Sequence, residues 1–362
     1  LPINILDFAT TSVILFTKPL KALKGLAIAS HMSFRSERGF FRSMFAVAEA
    51  MILLRRFARL EISHAHAHFA TNPTTVLRIA RALGGPTFSF TVHGPFEIDA
   101  PYSWSIKEKA CEASFVVAVS KFARAQLMRV TPSSMWDKIH VIRCGLPCQS
   151  PETQPSDVPA STQLLCIGRL SEEKGHLILL RAVARLVAQQ VPVTLLLVGD
   201  GPLRSQLEDE IARLELKTVV RLLGSVCGQT IPTLLDASRA LVLPSFAEGL
   251  PVVLTEAFRA GRPAIATNVG AVSELVRSNV SGWLVPPGDE DELVAAMRDA
   301  LTRPVDDLTQ MGRAAFKLVT HLHDAHLEAL KLSGLFETVV APGVCHRPPA
   351  NDASAPHGTH QP

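Results

Sequence analysis

Residues 244–251 read P-S-F-A-E-G-L-P, and the predicted fold of the 362-residue chain is organised around them. The apolar run at 240–243 predicts a buried parallel strand, and the segment after the stretch predicts an apolar helix that opens near Pro251 and carries Glu256. The carboxyl ends of parallel strands border the ligand crevice of open α/β sheets, and a helix amino terminus there adds amide donors and about half a positive charge. The stretch therefore predicts an anion site bordered by Glu248 and Glu256, although two isolated glutamates are also compatible with solvated surface charges.

Two further apolar strands are expected to end at the same crevice. Residues 164–167 lead into G-R-L-S-E-E-K-G at 168–175, and residues 193–198 lead into G-D-G-P at 199–202. Helical periodicity follows each of them. The three strand ends supply two cations, two acids and several glycines that let backbone approach a ligand closely. Cations suit a diphosphate and carboxylates suit sugar hydroxyls, so the sequence predicts a site for a ligand that has both.

Three motifs in this order resemble the retaining glycosyltransferases of family 4. They are G-R-L-x-x-x-K-G at 168–175, V-G-D-G-P at 198–202 and P-S-x-x-E-G-L-P-x-x-x-x-E at 244–256. In the amino half, H-A-H-F-A-T-N at 66–72, S-F-T-V-H-G-P at 89–95 and I-H-V-I-R-C-G-L at 139–146 resemble bacterial exopolysaccharide enzymes of the colanic-acid type. The resemblance implies an α/β protein with the GT-B fold, in which two Rossmann-like domains with parallel sheets face a cleft.

The family resemblance also implies a reaction and a set of roles. A sugar would pass from a UDP- or GDP-sugar to a growing saccharide or a polyprenyl-linked acceptor, with retention of configuration and with no metal or cofactor. By the same resemblance Arg169 and Lys174 hold the diphosphate, Glu256 the ribose and Glu248 a donor sugar hydroxyl, while His93 bonds to the donor sugar. The remaining residues expected to line the donor site are Gly199, Gly249, Leu250 and Pro251.

Histidines are the main candidates for chemistry in the amino half. His93 follows a predicted strand and precedes a glycine, which would project it into the crevice; a lone histidine is usually structural, but the family match favours a catalytic role. His64, His66 and His68 alternate along one strand, so they share a face. This face predicts either a metal site or a sheet surface near the acceptor cleft, and the lack of a carboxylate in the strand favours the surface.

The acidic run D-E-D at 289–291 has two interpretations. It matches the D-x-D pattern of metal-dependent transferases, but it also follows P-P-G and opens a predicted helix. Acidic residues are favourable at the positive end of a helix, so we favour the helix-start interpretation and expect no required metal.

Composition and charge narrow the class of protein. Hydrophobic residues make up 47% of the chain and charged residues 19%, and the net charge of +3 is too small and scattered for a nucleic-acid-binding protein. The six cysteines lack metal-ligand spacing and predict reduced thiols.

The expected divisions of the chain are an amino-terminal acceptor-side domain at 1–146, a linker with four prolines at 147–162, a nucleotide-sugar-binding domain with closing helices at 163–341, and a disordered tail at 342–362.

The start of the chain departs from the family pattern. Residues 1–50 do not supply the first strand, glycine-rich loop and long helix of a GT-B protein, so we expect an incomplete amino-terminal domain. Leucines and lysines at 18–26 could lie on an anionic membrane, but a remnant helix of the domain is the favoured interpretation. The expected location is the cytoplasm, with peripheral contact at the inner membrane face left open.

Two other functions compete with sugar transfer. The expected missing start motivates the second hypothesis, a truncated and inactive protein that binds nucleotide sugar without transferring it. An epimerase or a phosphorylase on the same two-domain scaffold is the third hypothesis, and the spacing of Glu248 and Glu256 fits the transferases better.

Overall fold

The structure, a computed structural model, describes residues 19–35, 39–146 and 154–340. The predictions for residues 1–18, for the first half of the linker, for Cys148 and Cys345 and for the tail at 342–362 lie outside the described residues. The described part is an α/β protein with two parallel sheets, one in each half of the chain.

The amino-terminal half is built on a four-stranded parallel sheet in the order β1-β2-β3-β4. Its strands are β1 (His64–His68), β2 (Thr87–Val92), β3 (Val116–Ala118) and β4 (Ile139–Val141). Its helices are α1 (Pro19–Arg35), α2 (Gly39–Arg59), α3 (Asn72–Ala82), α4 (Pro95–Asp99), α5 (Ile106–Glu112) and α6 (Lys121–Val130). The core between them contains Phe88, Phe90 and Val92 of the central strand β2, each at most 1% exposed.

The helix α1 packs on the amino-terminal domain, whereas the sequence leads us to expect a poorly packed remnant helix. Ala29 is buried, and a Cβ at Gly25 would lie 3.0 Å from the Leu83 side chain at the end of α3. Leu20 and Leu23 are exposed on the other side of the helix. The domain therefore anchors α1 through its small residues.

The carboxyl-terminal half is built on a six-stranded parallel sheet in the order β10-β9-β8-β5-β6-β7. Its strands are β5 (Gln163–Ile167), β6 (Thr194–Val198), β7 (Val220–Gly224), β8 (Ala240–Leu243), β9 (Ala264–Thr267) and β10 (Gly282–Val285). Its helices are α7 (His176–Ala188), α8 (Arg204–Arg213), α9 (Thr230–Asp236), α10 (Val252–Arg259), α11 (Glu290–Thr302) and α12 (Val305–Leu322). The strand order reverses between β5 and β8, which makes that edge the switch point where ligands bind in doubly wound sheets.

The last helix, α13 (Ala325–Val339), returns to the amino-terminal half. Its apolar side chains pack on the amino-terminal sheet at Phe115, Val117 and Ile142. Just before it, the carbonyl oxygen of His323 accepts a hydrogen bond of 2.8 Å from the backbone amide of Leu146. The two halves are thus joined by packing as well as by the linker.

Candidate active site

The loops that follow β5 and β8 meet at the switch point of the carboxyl-terminal sheet. Lys174 Nζ lies 2.6 Å from Glu248 Oε1, and Ser245 Oγ donates a hydrogen bond of 2.7 Å to the same oxygen. Glu248 is only 6% exposed, and Lys174 is half-buried. Lys174 is predicted to bind the diphosphate and Glu248 to bind the donor sugar. The structure thus brings together two predicted binding residues that are 74 residues apart in the chain.

The contacts of this pair leave bonding capacity on both side chains. Glu248 Oε2 accepts no hydrogen bond from the part of the chain that the structure describes. Lys174 has three N–H donors and contacts Glu248 with one of them. The pair can therefore accept from a sugar hydroxyl and donate to an anion at the same time.

Arg169 and Glu256 have the free groups that a ligand site needs. Arg169 is exposed and forms no ion pair within the described ranges. Glu256 is half-buried in α10, and burial raises the pKa of its carboxyl above the ordinary value. No described side chain bonds to Glu256, so its carboxylate is available to hydroxyl donors.

Backbone packing accounts for the glycine at 199. Gly199 has φ +138°, and a Cβ there would lie 1.9 Å from the carbonyl oxygen of Gly168. A larger residue would push apart the loops after β5 and β6. A contact between Gly199 and a ligand remains a prediction beside this packing role.

The start of α10 offers a ligand its backbone rather than its side chains. Pro251 is the N-cap of the helix, as the sequence predicts, and its side chain is buried. Leu250 is 8% exposed and packs in the core of the carboxyl-terminal domain. Any contact of these two residues with a donor would therefore come from main-chain atoms.

The opposite wall of the cleft is the loop after β2, which contains His93. A Cβ at Gly249 would lie 2.5 Å from the carbonyl oxygen of His93 and 3.1 Å from Gly94 Cα. The backbones of the two domains therefore touch at this point, and only glycine fits at 249. This contact places His93 beside the loop that contains Glu248.

A buried carboxylate holds the His93 loop in place. Glu97, fully buried, accepts hydrogen bonds from the backbone amides of His93 at 2.7 Å and Gly94 at 2.9 Å through Oε2, and from that of Ala70 through Oε1. Burial raises the pKa of Glu97, while the three amide bonds and nearby Lys109 oppose this. Glu97 is not among the site residues predicted from the sequence, although a glutamate three positions after the N-cap Gly94 is a capping-box signal.

The histidines of β1 form a polar row along the sheet. His64 and His66 each bond to two hydroxyl groups of β2 at 2.7 to 2.8 Å, and they share Ser89. His68 Nδ1 lies 2.8 Å from His93 Nε2, one nitrogen donating and the other accepting. The rings of His64 and His66 also pack against Phe115 and against Phe336 of α13. Within the described residues no cluster of histidine, cysteine or acidic side chains could hold a metal.

Burial keeps part of this row neutral. The pKa values of His66 and His93 are lowered to about 4, chiefly by burial and then by neighbouring histidines. At neutral pH the His93 ring is therefore uncharged, and it can offer a ligand hydrogen bonds but no positive charge.

The acidic run at 289–291 starts a helix, as favoured in the sequence analysis. Asp289 is the N-cap of α11 and accepts a hydrogen bond of 3.0 Å from the Glu292 amide. Asp291 lies 2.6 Å from Arg185 of α7. Both aspartates thus have structural partners.

The loop at 268–274 links the donor side of the cleft to the amino-terminal domain. The Ala271 amide donates a hydrogen bond of 3.0 Å to the Gly249 carbonyl, so the loop lies near the crevice. Glu274 accepts from the backbone amides of Phe122 at 2.8 Å and Lys121 at 3.1 Å, at the start of α6. Arg143 adds an ion pair of 3.2 Å to Glu274.

Two family models match most of the chain. Residues 13–150 match the model described as Glycosyltransferase Family 4, and residues 154–318 match that described as Glycosyl transferases group 1.

No described helix is long and apolar enough to cross a membrane.

Two of the relatives of this chain are named for the synthesis of bacterial polysaccharides. The chain is 28% identical over 210 residues to the putative colanic acid biosynthesis glycosyltransferase WcaL of Escherichia coli, a match that covers 56% of this chain and 52% of WcaL. It is 30% identical over 208 residues to the amylovoran biosynthesis glycosyltransferase AmsK of Erwinia amylovora, covering 56% of this chain and 51% of AmsK. The chain thus spans about half the length of the curated relatives it matches.

Two solved structures share the fold of this chain. Anabaena HepE in complex with UDP has a TM-score of 0.65 at 23% identity, covering 80% of this chain and 82% of HepE. The sucrose-phosphate synthase of Thermosynechococcus elongatus has a TM-score of 0.72 at 21% identity, covering 84% of this chain and 79% of that one. With two parallel sheets, the matched family models and these neighbours, the chain has the GT-B fold and belongs to the family 4 glycosyltransferases.

Proposed function

We propose that the protein transfers a sugar from a nucleotide-diphosphate sugar to a growing saccharide or a polyprenyl-linked acceptor, with retention of anomeric configuration, in exopolysaccharide synthesis. The observation that carries the proposal is the contact of Lys174 with Glu248 at the switch point. The WcaL and AmsK relatives support the polysaccharide context, and the UDP complex of HepE supports a UDP-sugar as the donor. The reaction would take place in the cytoplasm at the membrane face where such acceptors are presented.

Positive groups near the diphosphate would lower the barrier to transfer. Breaking the bond between the anomeric carbon and the phosphate oxygen builds negative charge on the diphosphate. The Arg169 guanidinium offers a two-pronged contact, Lys174 offers a point charge, and the start of α10 adds backbone donors. We assign these side chains the charge stabilisation that a metal provides in other transferases, so activity should persist in a chelator.

The partners of Glu248 and His93 suit hydrogen bonding to the donor sugar. The carboxylate of Glu248 is neutralised by Lys174 at 2.6 Å, which makes it a poor covalent nucleophile and a good acceptor from a sugar hydroxyl. His93, with a pKa of about 4, is neutral at pH 7 and can bond to a second hydroxyl. Without a protein nucleophile, the acceptor would attack on the face that the diphosphate leaves, and the departing phosphate would take the acceptor proton.

Calorimetric titration with UDP, GDP and the matching nucleotide sugars tests the donor site. We expect one base to bind in the micromolar range, and Arg169→Ala and Lys174→Ala to weaken binding by about 10-fold to 100-fold, the loss of one charge-assisted contact. The matched control is Arg213→Ala, which removes an exposed arginine paired with Glu210 on α8. A wild-type protein that binds none of these nucleotides would overturn the proposed function.

A transfer assay separates the enzyme from a protein that only binds. The protein is incubated with saccharide acceptors and with the nucleotide sugar that binds in the calorimetric titration. Each acceptor should gain one sugar, and NMR of the new anomeric proton should show the same configuration as in the donor. A product of opposite configuration would overturn retention. Donor binding with no product on any saccharide or polyprenyl-linked acceptor would favour the inactive nucleotide-sugar-binding protein.

A further inference from the structure

Two exposed aromatic rings lie beside His93 on the amino-terminal side of the cleft. Phe69 is 41% exposed and Phe96 is 53% exposed. The Phe69 ring centroid lies 4.6 Å from that of His93 and 6.2 Å from that of Phe96, and the Phe69 and Phe96 planes are inclined by only 34°. The two rings therefore form one aromatic surface next to a candidate catalytic residue, and we call this pair the aromatic platform.

The backbone at Phe69 is held in an unfavourable conformation. Phe69 has φ +73°, a left-handed value that bulky residues rarely adopt. Three hydrogen bonds hold it there: the Phe69 amide donates to Thr91 O at 2.8 Å, Thr74 Oγ1 donates to Phe69 O at 2.7 Å, and the next amide donates to Glu97. Glycine would adopt this conformation with less strain, so a strained phenylalanine that leaves its ring exposed indicates a role for the ring.

The aromatic platform is close to the reacting end of the donor site. The Phe96 ring lies 3.6 Å from where a Cβ of Gly94 would be, and the Gly249 loop touches the backbone of Gly94 from the other domain. The donor groups Arg169 and Lys174 belong to the other domain, on the loop after β5. A molecule on the platform would therefore lie beside the transferred sugar and apart from the diphosphate contacts.

We infer that the aromatic platform binds a pyranose ring of the acceptor saccharide, an inference that rests on the proposed function. One face of a pyranose presents C–H groups that pack on the electron-rich face of an aromatic ring, while its edge presents hydroxyls. His68 and His93, 2.8 Å apart through Nδ1 and Nε2, supply polar groups at the edge of the platform. This combination of aromatic faces and polar edge suits a sugar ring better than a polyprenyl chain, which has only apolar groups to offer.

Saturation-transfer NMR with methyl glycosides of glucose, galactose, mannose and fucose tests the inference on the whole chain. The variants Phe69→Leu and Phe96→Leu keep apolar bulk and remove the aromatic face. Phe69→Gly also relieves the left-handed strain, so it separates a ligand role from a purely structural one. The matched control is Phe45→Leu, which removes an exposed aromatic ring from α2. UDP calorimetry on every variant reports the donor site independently.

We expect ring-proton signals from at least one glycoside with the wild type and with Phe45→Leu. The signals should fall at least about 5-fold in Phe69→Leu, Phe96→Leu and Phe69→Gly, with UDP affinity unchanged, since a stacked ring contributes roughly 1 kcal/mol or more. Phe69→Gly should unfold at an equal or higher temperature despite its lost signal.

Three results would overturn the inference. The first result is that glycoside signals persist in all three platform variants. The second is that a wild type that binds UDP gives no glycoside signals. The proposed function would stand in both cases. A third is binding of undecaprenyl phosphate vesicles, but of no glycoside, that depends on Phe69 and Phe96, which would make the platform a lipid site. If UDP itself does not bind, the proposed function fails first, and the inference fails with it.

Discussion

At the scale of single residues, the contact between Lys174 and Glu248 sets the properties of the donor loop. The Glu248 carboxylate is almost fully buried, so its negative charge depends on Lys174 and Ser245 for compensation. When a diphosphate draws Lys174 toward itself, a sugar hydroxyl can replace it at Glu248. In the proposed donor complex the pair would thereby couple the two halves of the nucleotide sugar.

Replacing Lys174 should therefore cost stability as well as binding. Lys174→Met leaves Glu248 buried without its cation, and we expect a loss of about 2 kcal/mol in the free energy of unfolding. The double variant Lys174→Met with Glu248→Gln should recover most of that loss while UDP binding stays weak. Urea unfolding and calorimetry measure the two quantities. Equal stability of the wild type and the single variant would show that the contact does not compensate the charge.

Glu97 is the residue through which we expect His93 to be positioned. Glu97→Gln replaces one acceptor oxygen by a donor that faces backbone amides, so unfolding free energy should fall by about 2 to 4 kcal/mol. The turnover number should also fall, with UDP affinity unchanged, because Glu97 holds only the amino-terminal wall. Exposed Glu215→Gln is the control. Loss of UDP affinity with full turnover would contradict the positioning role.

Residue types and motifs in the sequence predict the donor groups, but not how they contact one another. Lys174 and Glu248 are candidates because each lies in a family motif, while their mutual contact depends on how two distant strand ends meet. The left-handed backbone and the exposed ring of Phe69 cannot be predicted, because no residue pattern in the sequence distinguishes this phenylalanine from any other residue that follows a strand. Glu97 does carry a signal, in its position relative to Gly94, but the three amides it binds come from two different loops.

At the scale of elements, the strands are the most predictable feature because buried parallel strands are continuous apolar runs. The predicted bounds of β8 agree with the structure, and those of β5 and β6 differ from it by one residue at the amino end. The helices α4, α5 and α9 are not predicted, since five to seven residues are too short to show helical periodicity.

The histidines of β1 make stability depend on pH. The pKa of His66 is about 4 in the folded protein, against an ordinary value of 6.5, because burial and the neighbouring histidines disfavour the charged ring. Between these two values the unfolded chain binds more protons, so stability is present above pH 6.5 and is lost as the pH falls toward 4. His64 and His93 are shifted in the same direction.

Urea unfolding at a series of pH values checks this sign. We expect the free energy of unfolding to decline steadily from pH 6.5 to about 4, and His66→Gln, which keeps polar groups for Ser89 and Thr91, to reduce the slope. His321→Gln, which changes an exposed histidine of α12, is the control. A slope that is the same in His66→Gln and the wild type would show that His66 does not carry the linkage.

At the scale of the whole molecule, the two domains are joined by contacts that the sequence cannot predict. Family motifs predict two domains and a cleft, and the prolines predict a linker. The partners across the cleft are set by the docking of one sheet on the other: Glu274 bonds to the first amides of α6 across more than 150 residues, and α13 covers the amino-terminal sheet. Such pairings leave no local pattern in a single sequence.

Glu274 should hold the cleft closed. Its carboxylate lies at the amino end of α6, where the helix dipole favours a negative charge, and it also pairs with partly buried Arg143. Glu274→Ala removes these contacts but leaves the packing of α13, so we expect the domains to move apart without unfolding. Small-angle X-ray scattering should show a larger radius of gyration, and turnover should fall about 10-fold or more because His93 then lies farther from the Glu248 loop.

Glu292→Ala, an exposed glutamate on α11, should change neither quantity. An unchanged radius together with full turnover in Glu274→Ala would mean that α13 and the Gly249 contact suffice to close the cleft, and Glu274 would then be a passive helix cap.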